Sequence, residues 1–324
     1  MFWPTLILVI LAVDTPSKVA KPTLFNTKEA DSIVSAMQIF PADNPWNADV
    51  SKWPLHKNSD AIVASIGNDK PLRCNSDMGY ILVPSNQKLV EVKLVEYPDE
   101  SDKGPYPLPA GVTIEGWPKS YTTDRGVKTP PPLDDIQRDK ANENGDRHAI
   151  VVDPGKMMLY EFYQLKKTDA GWQAAGAAIF DLKSNKLRPA GWTSTDAAGL
   201  PIFPAIIRYD ELQKGMVNHA MRVTIKNSRR AYVSPATHFA SRKTDENLPR
   251  MGERLRLKAD YDIRGFSKEV QAILKGLKKH GMMVADNGIE WALSSAPDER
   301  IPSLHEELRK VKGSAFEVVE MPGK

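Results

Sequence analysis

The sequence predicts an α+β fold rich in strand: an antiparallel β-sandwich-like core carrying a few short helices. Three observations lead there. Short apolar runs with period-two alternation recur through the middle of the chain. Turn residues such as Pro154-Gly155 and Asp169-Ala170-Gly171 separate them at short intervals. A helical apolar period is clear in only one long stretch, 267–280. Consecutive strands joined by short turns favour antiparallel sheets over alternating βαβ units.

The elements follow in order. Ser59 to Ile66, with Ile62, Val63 and Ile66 apolar and Gly67 next, reads as a short capped helix. Leu89 to Tyr97 alternates, Val90, Val92 and Leu94 on one side, and reads as a half-buried strand. Further strands are expected at His148–Asp153, Met157–Tyr163, Trp172–Asp181, Ala220–Ile225 and Ala231–Ser234. Ser267 caps a helix whose stripe is Val270, Ile273, Leu274 and Leu277. Lys278, Lys279 and His280 suit its negative end, and Gly281 stops it. Met282–Ala285, Trp291–Ser294 and Phe316–Val319 return as strands, with Asp286-Asn287-Gly288 as a hairpin turn. Ser303-Leu304-His305-Glu306 has the pattern of a capping box opening a second helix.

Residues 1–20 read as a signal peptide or N-terminal anchor, because Phe2 to Val13 is an almost unbroken apolar run too short to span a bilayer. No Lys or Arg precedes the run, which departs from an ordinary leader. Residues 21–38 are expected to be a flexible tail, and 39–324 one β-rich globular domain. Within it, 98–133 holds eight of the 25 prolines together with Tyr106, Trp117 and Tyr121, and reads as a long loop ordered as a lid.

Composition excludes several classes of function. With 41% hydrophobic and 26% charged residues and a mean hydropathy of −0.41, neither a membrane bundle nor a disordered chain fits. Lys+Arg 44 against Asp+Glu 41 leaves +3, with no basic stripe for nucleic acid. Cys74 stands alone, so no intramolecular disulfide forms, and it reads as an inert thiol. The phosphate loop, dinucleotide, nucleophile-elbow and zincin motifs are all missing, and neither cofactor nor metal is expected.

Four polar segments remain. In Gly145-Asp146-Arg147-His148, at a strand entry, alternation sends Arg147 and His148 to opposite faces, an acid/base cluster or else a surface pair with a capping histidine. Arg188 to Pro201 carries Trp192 and Asp196 among small residues, as a site loop or as a core tryptophan with a helix cap. Arg208-Tyr209-Asp210-Glu211 offers Glu211 as a carboxylate, although a short surface helix also wants acids in its first turn. His219, on the side of Met221 and Val223, reads as a core histidine, while Arg222 faces the other way. His238, in Ser234 to Ser241 beyond a strand end, is the better candidate. The catalytic candidates are therefore Asp146, His148, Asp196, His238 and Glu211. The substrate-binding candidates are Arg147, Trp192, Arg222, Trp117 and Tyr121.

Six strings run in order along the chain: Phe40-Pro41-Ala42-Asp43-Asn44-Pro45-Trp46-Asn47, Gly145 to His148, Arg188 to Pro201, Arg208 to Glu211, His219 to Arg222, and Met251-Gly252-Glu253-Arg254-Leu255-Arg256-Leu257-Lys258. In these the chain resembles a family of secreted proteins, widespread in environmental bacteria, for which no activity is established. The resemblance covers roughly residues 39 to 320. It implies export and a single domain and transfers no catalytic residue.

The expected function is that of an exported, secreted or periplasmic carbohydrate-active enzyme, a glycoside hydrolase or polysaccharide lyase using Asp/His acid–base chemistry. Trp46, Trp117, Tyr121 and Trp192 would stack on sugar rings of a polysaccharide or cell-wall glycan. No nucleic-acid or membrane partner is expected beyond the N-terminal anchor, and the chain is expected to be a monomer. One alternative is a non-catalytic glycan- or peptide-binding envelope protein. Another is a metal-dependent enzyme built on His148, His219 and His238.

Overall fold

The computed structural model describes residues 19–122, 128–142 and 145–321. The apolar run Phe2 to Val13, expected to act as a leader or anchor, lies outside them. Among the described residues, no helix is long and apolar enough to cross a membrane.

The fold is mixed, about 23% strand and 19% helix in several sheets, and the expected antiparallel sandwich is not what the strands build. One sheet has five strands in the order Thr23–Leu24, Tyr80–Leu82, Ala149–Asp153, Met158–Tyr163 and Gly176–Asp181. A second has six, in the order Phe316–Val319, Arg254–Leu257, Met282–Asn287, Met221–Ile225, Ala292–Ser295 and Arg73–Ser76. A small third sheet holds Val92–Leu94, Gly171–Ala174 and Lys166–Thr168. All three mix orientations: Tyr80–Leu82 runs parallel to Ala149–Asp153, Met221–Ile225 to Met282–Asn287, Ala292–Ser295 to Arg73–Ser76, and Val92–Leu94 to Gly171–Ala174. Period-two alternation reports which face of a strand is buried, not which strand lies beside it, so sequence order misled about pairing.

Both faces of the five-stranded sheet are covered. Tyr80, Leu82, Ile150, Val152 and Leu159 enter the main hydrophobic cluster, while Ile81, Val83, Ala149, Val151 and Phe162 enter a second one. That second cluster is capped by the proline-rich stretch, whose Tyr106, Leu108, Val112 and Ile114 are buried. The expected lid is thus a packed wall. The supposed tail at 21–38 is likewise built in: Thr23–Leu24 pairs with Ile81 and Leu82, and helix Lys28–Ala36, capped by Thr27, buries Ala30, Ile33 and Val34. Three apolar side chains at helical spacing anchor the segment to the core.

The helix at 268–279 forms as expected, with the Ser267 side chain accepting from the Val270 amide. Helix Ser59–Ile66 forms too. Five local expectations change. Leu89–Tyr97 shortens to a strand at Val92–Leu94, Trp172–Asp181 splits into two strands, and Ala231–Ser234 makes only a bridge from Tyr232 to Met251. The helix near 303 starts at His305, without a cap from Ser303. Asp286-Asn287-Gly288 does not close a two-strand hairpin, because Met221–Ile225 lies between the strands on either side of it. Instead, Asp286 sits at a β-bulge: Val223 pairs with Val284 and Thr224 with Asp286, leaving Ala285 over.

Candidate functional site

A cleft of about 320 Å³ opens where residues of the two large sheets meet. Its floor is the Thr193–Ala197 loop; Tyr97, Glu100 and Tyr163 line it, as do His238, Asp286 and Asn287, with Asp146 exposed at its lip. Three of the expected catalytic residues, Asp146, Asp196 and His238, therefore meet here, and His148 lies just beneath.

The floor is a tightly bonded loop. Ser194 Oγ accepts from the Asp196 amide (2.9 Å) and donates to the Leu200 carbonyl (2.6 Å). The Ala198 amide donates to Ala285 O at 2.9 Å, so the extra residue of the bulge docks the loop. Bulges re-aim neighbouring side chains, which is how Asp286 comes to line the cleft.

Asp196 is not a free acid. Its carboxylate is fully buried and accepts Nε and Nη2 of Arg222 at 2.9 and 2.7 Å, while Arg222 Nη1 donates to Ser294 Oγ at 2.6 Å. The Ala197-Ala198 segment forms a turn rather than a capped helix. Arg222, expected to bind substrate, is 4% exposed and committed to this pair.

His148 is also committed. Its Nδ1 and its backbone amide donate to Glu115 Oε2 at 2.9 and 3.2 Å, and its Nε2 donates to the Thr195 carbonyl at 2.8 Å. Two acceptors on two ring nitrogens require the imidazolium form. Burial works against that charge, but Glu115, Thr195 O and Asp196 outweigh it and hold the pKa up at about 9. Glu115 is moved the other way: burial raises it, the charge and hydrogen bonds of His148 lower it further, and the net direction is down. His148 is therefore a positioning residue for the loop.

His238 and Asp286 remain available. His238 Nδ1 donates to Ala197 O at 2.8 Å, and the ring stacks on Phe239 at 5.6 Å. That tautomer leaves Nε2 with its lone pair, unpartnered among the described residues. Burial, then the nearby charge of Asp196, push the Asp286 carboxyl up to about 7 against the opposing pull of Arg222. Beneath the cleft, burial also raises Glu161 to about 7, although it accepts from the Ile202 and Phe203 amides. Asp77 rises to about 7 through burial and Glu115.

The remaining candidates lie elsewhere or are engaged otherwise. Glu211 lines a different cleft and pairs with Arg208 and His219, at 2.9 Å each. Helix Tyr209–Lys214 is thus buried at its start, and His219 is the buried, satisfied histidine expected, its ring nitrogens bonded to Ala220 O and Glu211. Arg147 turns with a positive φ of 49° away from the cleft, donating to the carbonyls of Ile136, Gln137 and Leu165 beside Asp139. Trp192 lies against the Arg188 guanidinium. Trp117 donates to Pro131 O, and Trp46 and Tyr121 are buried in the hydrophobic clusters. The aromatic rings at the cleft are instead Tyr97, 43% exposed, and Tyr163, 6.4 Å apart. His148, His219 and His238 do not converge. The grouped metal-ligand atoms are those of Glu115, Asp146 and His148, within 4.8 Å of one another. His280, read as suiting the negative end of its helix, is buried, and burial lowers its pKa to about 4. His56 is likewise buried, against Glu320. Burial pushes the Cys74 thiol up to about 12, which makes it inert.

Glu115, Glu161 and Asp77 were missed from sequence. A single acid among apolar neighbours, as in Met158-Leu159-Tyr160-Glu161-Phe162, was the available signal. Comparison with family models, curated proteins and solved structures gives no match for the chain.

Proposed function

We propose that the cleft hydrolyses a glycosidic bond in an uncharged extracellular glycan. The observation that carries this reading is the opening of Asp286 and the unpartnered Nε2 of His238 into one cleft beside two tyrosine rings. Asp286, protonated near neutral pH, donates to the leaving oxygen, and His238 Nε2 takes the proton of the attacking water. Tyr97 and Tyr163 give apolar faces to a sugar ring, and Asn287 offers a hydrogen-bonding amide. A lyase reading fits less well. It needs a cation for the substrate carboxylate, whereas Arg222 and His148 are already matched by Asp196 and Glu115, and the lining adds Glu100 and Asp146.

The test is release of reducing ends from a panel of neutral and acidic polysaccharides by the purified chain. Turnover of a neutral glycan is expected. Asp286→Asn and His238→Gln should each lower kcat about 10²–10⁴-fold with unchanged melting temperature. In the wild type kcat should fall as pH rises through about 7, where Asp286 loses its proton. Binding without turnover would favour the non-catalytic alternative, and full activity in both variants would remove these residues from the mechanism. A metal-assisted variant of the chemistry is the second reading: ligand-type atoms of Glu115, Asp146 and His148 are grouped, and a cation there would have to displace the His148 proton and its bond to Glu115. It requires that chelation abolish activity and that added Zn²⁺ or Mn²⁺ restore it.

A further inference from the structure

Two strings that the cleft leaves unused, Phe40–Asn47 and Met251–Lys258, meet at Arg254. This side chain begins strand Arg254–Leu257 and is 5% exposed. The other deeply buried arginines have carboxylates: Arg222 has Asp196, Arg208 has Glu211, and Arg188 has Asp102. Among the described residues Arg254 has none. Its Nη1 donates to His280 O and its Nη2 to Pro45 O, each at 2.6 Å, and its guanidinium lies 5.7 Å from the centre of the Trp53 ring. A guanidinium carries five N–H donors, so most of its fork is left without an acceptor. Burial alone lowers its pKa, to about 9.

Arg254 lines a pocket of about 230 Å³ with Trp53, Val233, Met283, Arg250 and Glu253. A buried cation held only by carbonyls and a ring opposes folding unless an anion joins it. Neither nearby carboxylate pairs with it among the described residues: Glu253 is bidentate with Arg250 at 2.7 and 2.8 Å, and Glu320 sits 3.3 Å from His56.

We propose that this pocket binds a small organic monocarboxylate. The planar fork of Arg254 takes the carboxylate, and the apolar part of the ligand lies against Trp53 and Met283. The geometry of the fork selects the class. Arg254 is the pocket guanidinium without a bonded carboxylate among the described residues, its planar fork suits a single carboxylate, and a phosphate dianion would face Glu253 and Glu320 in the same walls. The pocket shares no lining residue with the cleft, so the proposal stands apart from the glycan reading.

The experiment is calorimetric titration of the full chain with benzoate, acetate and inorganic phosphate. Benzoate should saturate at one site, and phosphate should neither bind there nor displace it. Arg254→Lys keeps the charge but loses the fork, and Trp53→Leu removes the ring. Each should weaken benzoate about tenfold or more. His238→Ala should leave benzoate affinity unchanged. The proposal is overturned if the wild type does not bind benzoate, if both pocket variants bind it as the wild type does, if phosphate displaces it, or if His238→Ala abolishes binding.

Discussion

Arg222→Met tests whether the pair beneath the cleft holds its floor. Methionine keeps most of the apolar stem and removes three hydrogen bonds, two to Asp196 at 2.9 and 2.7 Å and one to Ser294 at 2.6 Å. The Asp196 side chain, fully out of solvent, is left as an unpaired carboxylate. Breaking such a pair from one side costs about 3–5 kcal/mol, a large part of the roughly 5–15 kcal/mol that holds a typical domain folded. Removing both charges, in Arg222→Met with Asp196→Leu, should recover most of the loss, to within about 2 kcal/mol of wild type, because no uncompensated charge stays behind. Urea denaturation followed by circular dichroism, run on both single variants and the double, yields the coupling energy. A loss below about 1 kcal/mol for Arg222→Met, or a double variant no more stable than the singles, would refute the reasoning.

Two further outcomes follow from the same geometry. His148 holds its proton more tightly folded than unfolded, so its stabilisation is complete below its ordinary value of 6.5 and is lost as pH rises through about 9. Denaturation midpoints should fall across that window, and His148→Gln should flatten the slope. Asp77, Glu161 and Asp286, raised to about 7, act mainly below it. Gly199→Ala places a Cβ at a φ of +73°, 2.1 Å from Thr237 Oγ1 and 2.7 Å from Trp192 O, where Thr237 bonds Trp192 at 2.8 Å. A loss of about 2 kcal/mol or more is expected in thermal melts, with faster proteolysis of the 191–200 loop; an unchanged melting temperature would show that the loop is not pinned there.

Local signals served best where one short segment supplies the whole cause. Helix 268–279 has its cap, stripe and stop within the fifteen residues from Ser267 to Gly281, and it forms as read. The site was legible as a list of polar segments, and Asp146, Asp196 and His238 do share a cleft. What each does was not legible. Asp196 reads as an available acid until Arg222, 26 positions on, takes both its oxygens. His148 reads as a base until Glu115 and Thr195 occupy both ring nitrogens. The loop tryptophans read as sugar platforms, yet Trp46 is buried and Trp192 lies against Arg188.

The sequence by itself determined the helices at 59–66 and 268–279, which chemistry the chain lacks motifs for, and which segments carry ionisable groups. These are properties of spacing and composition, carried by neighbours along the chain. Strand order, the bulge that turns Asp286 into the cleft, the pairing of Asp196 with Arg222 and the burial that raises Asp286 were decided only by tertiary structure. Protonation and availability depend on distance and burial, and the partners that set them lie tens to hundreds of residues apart: Glu115 with His148, Asp196 with Arg222, Arg254 with Pro45.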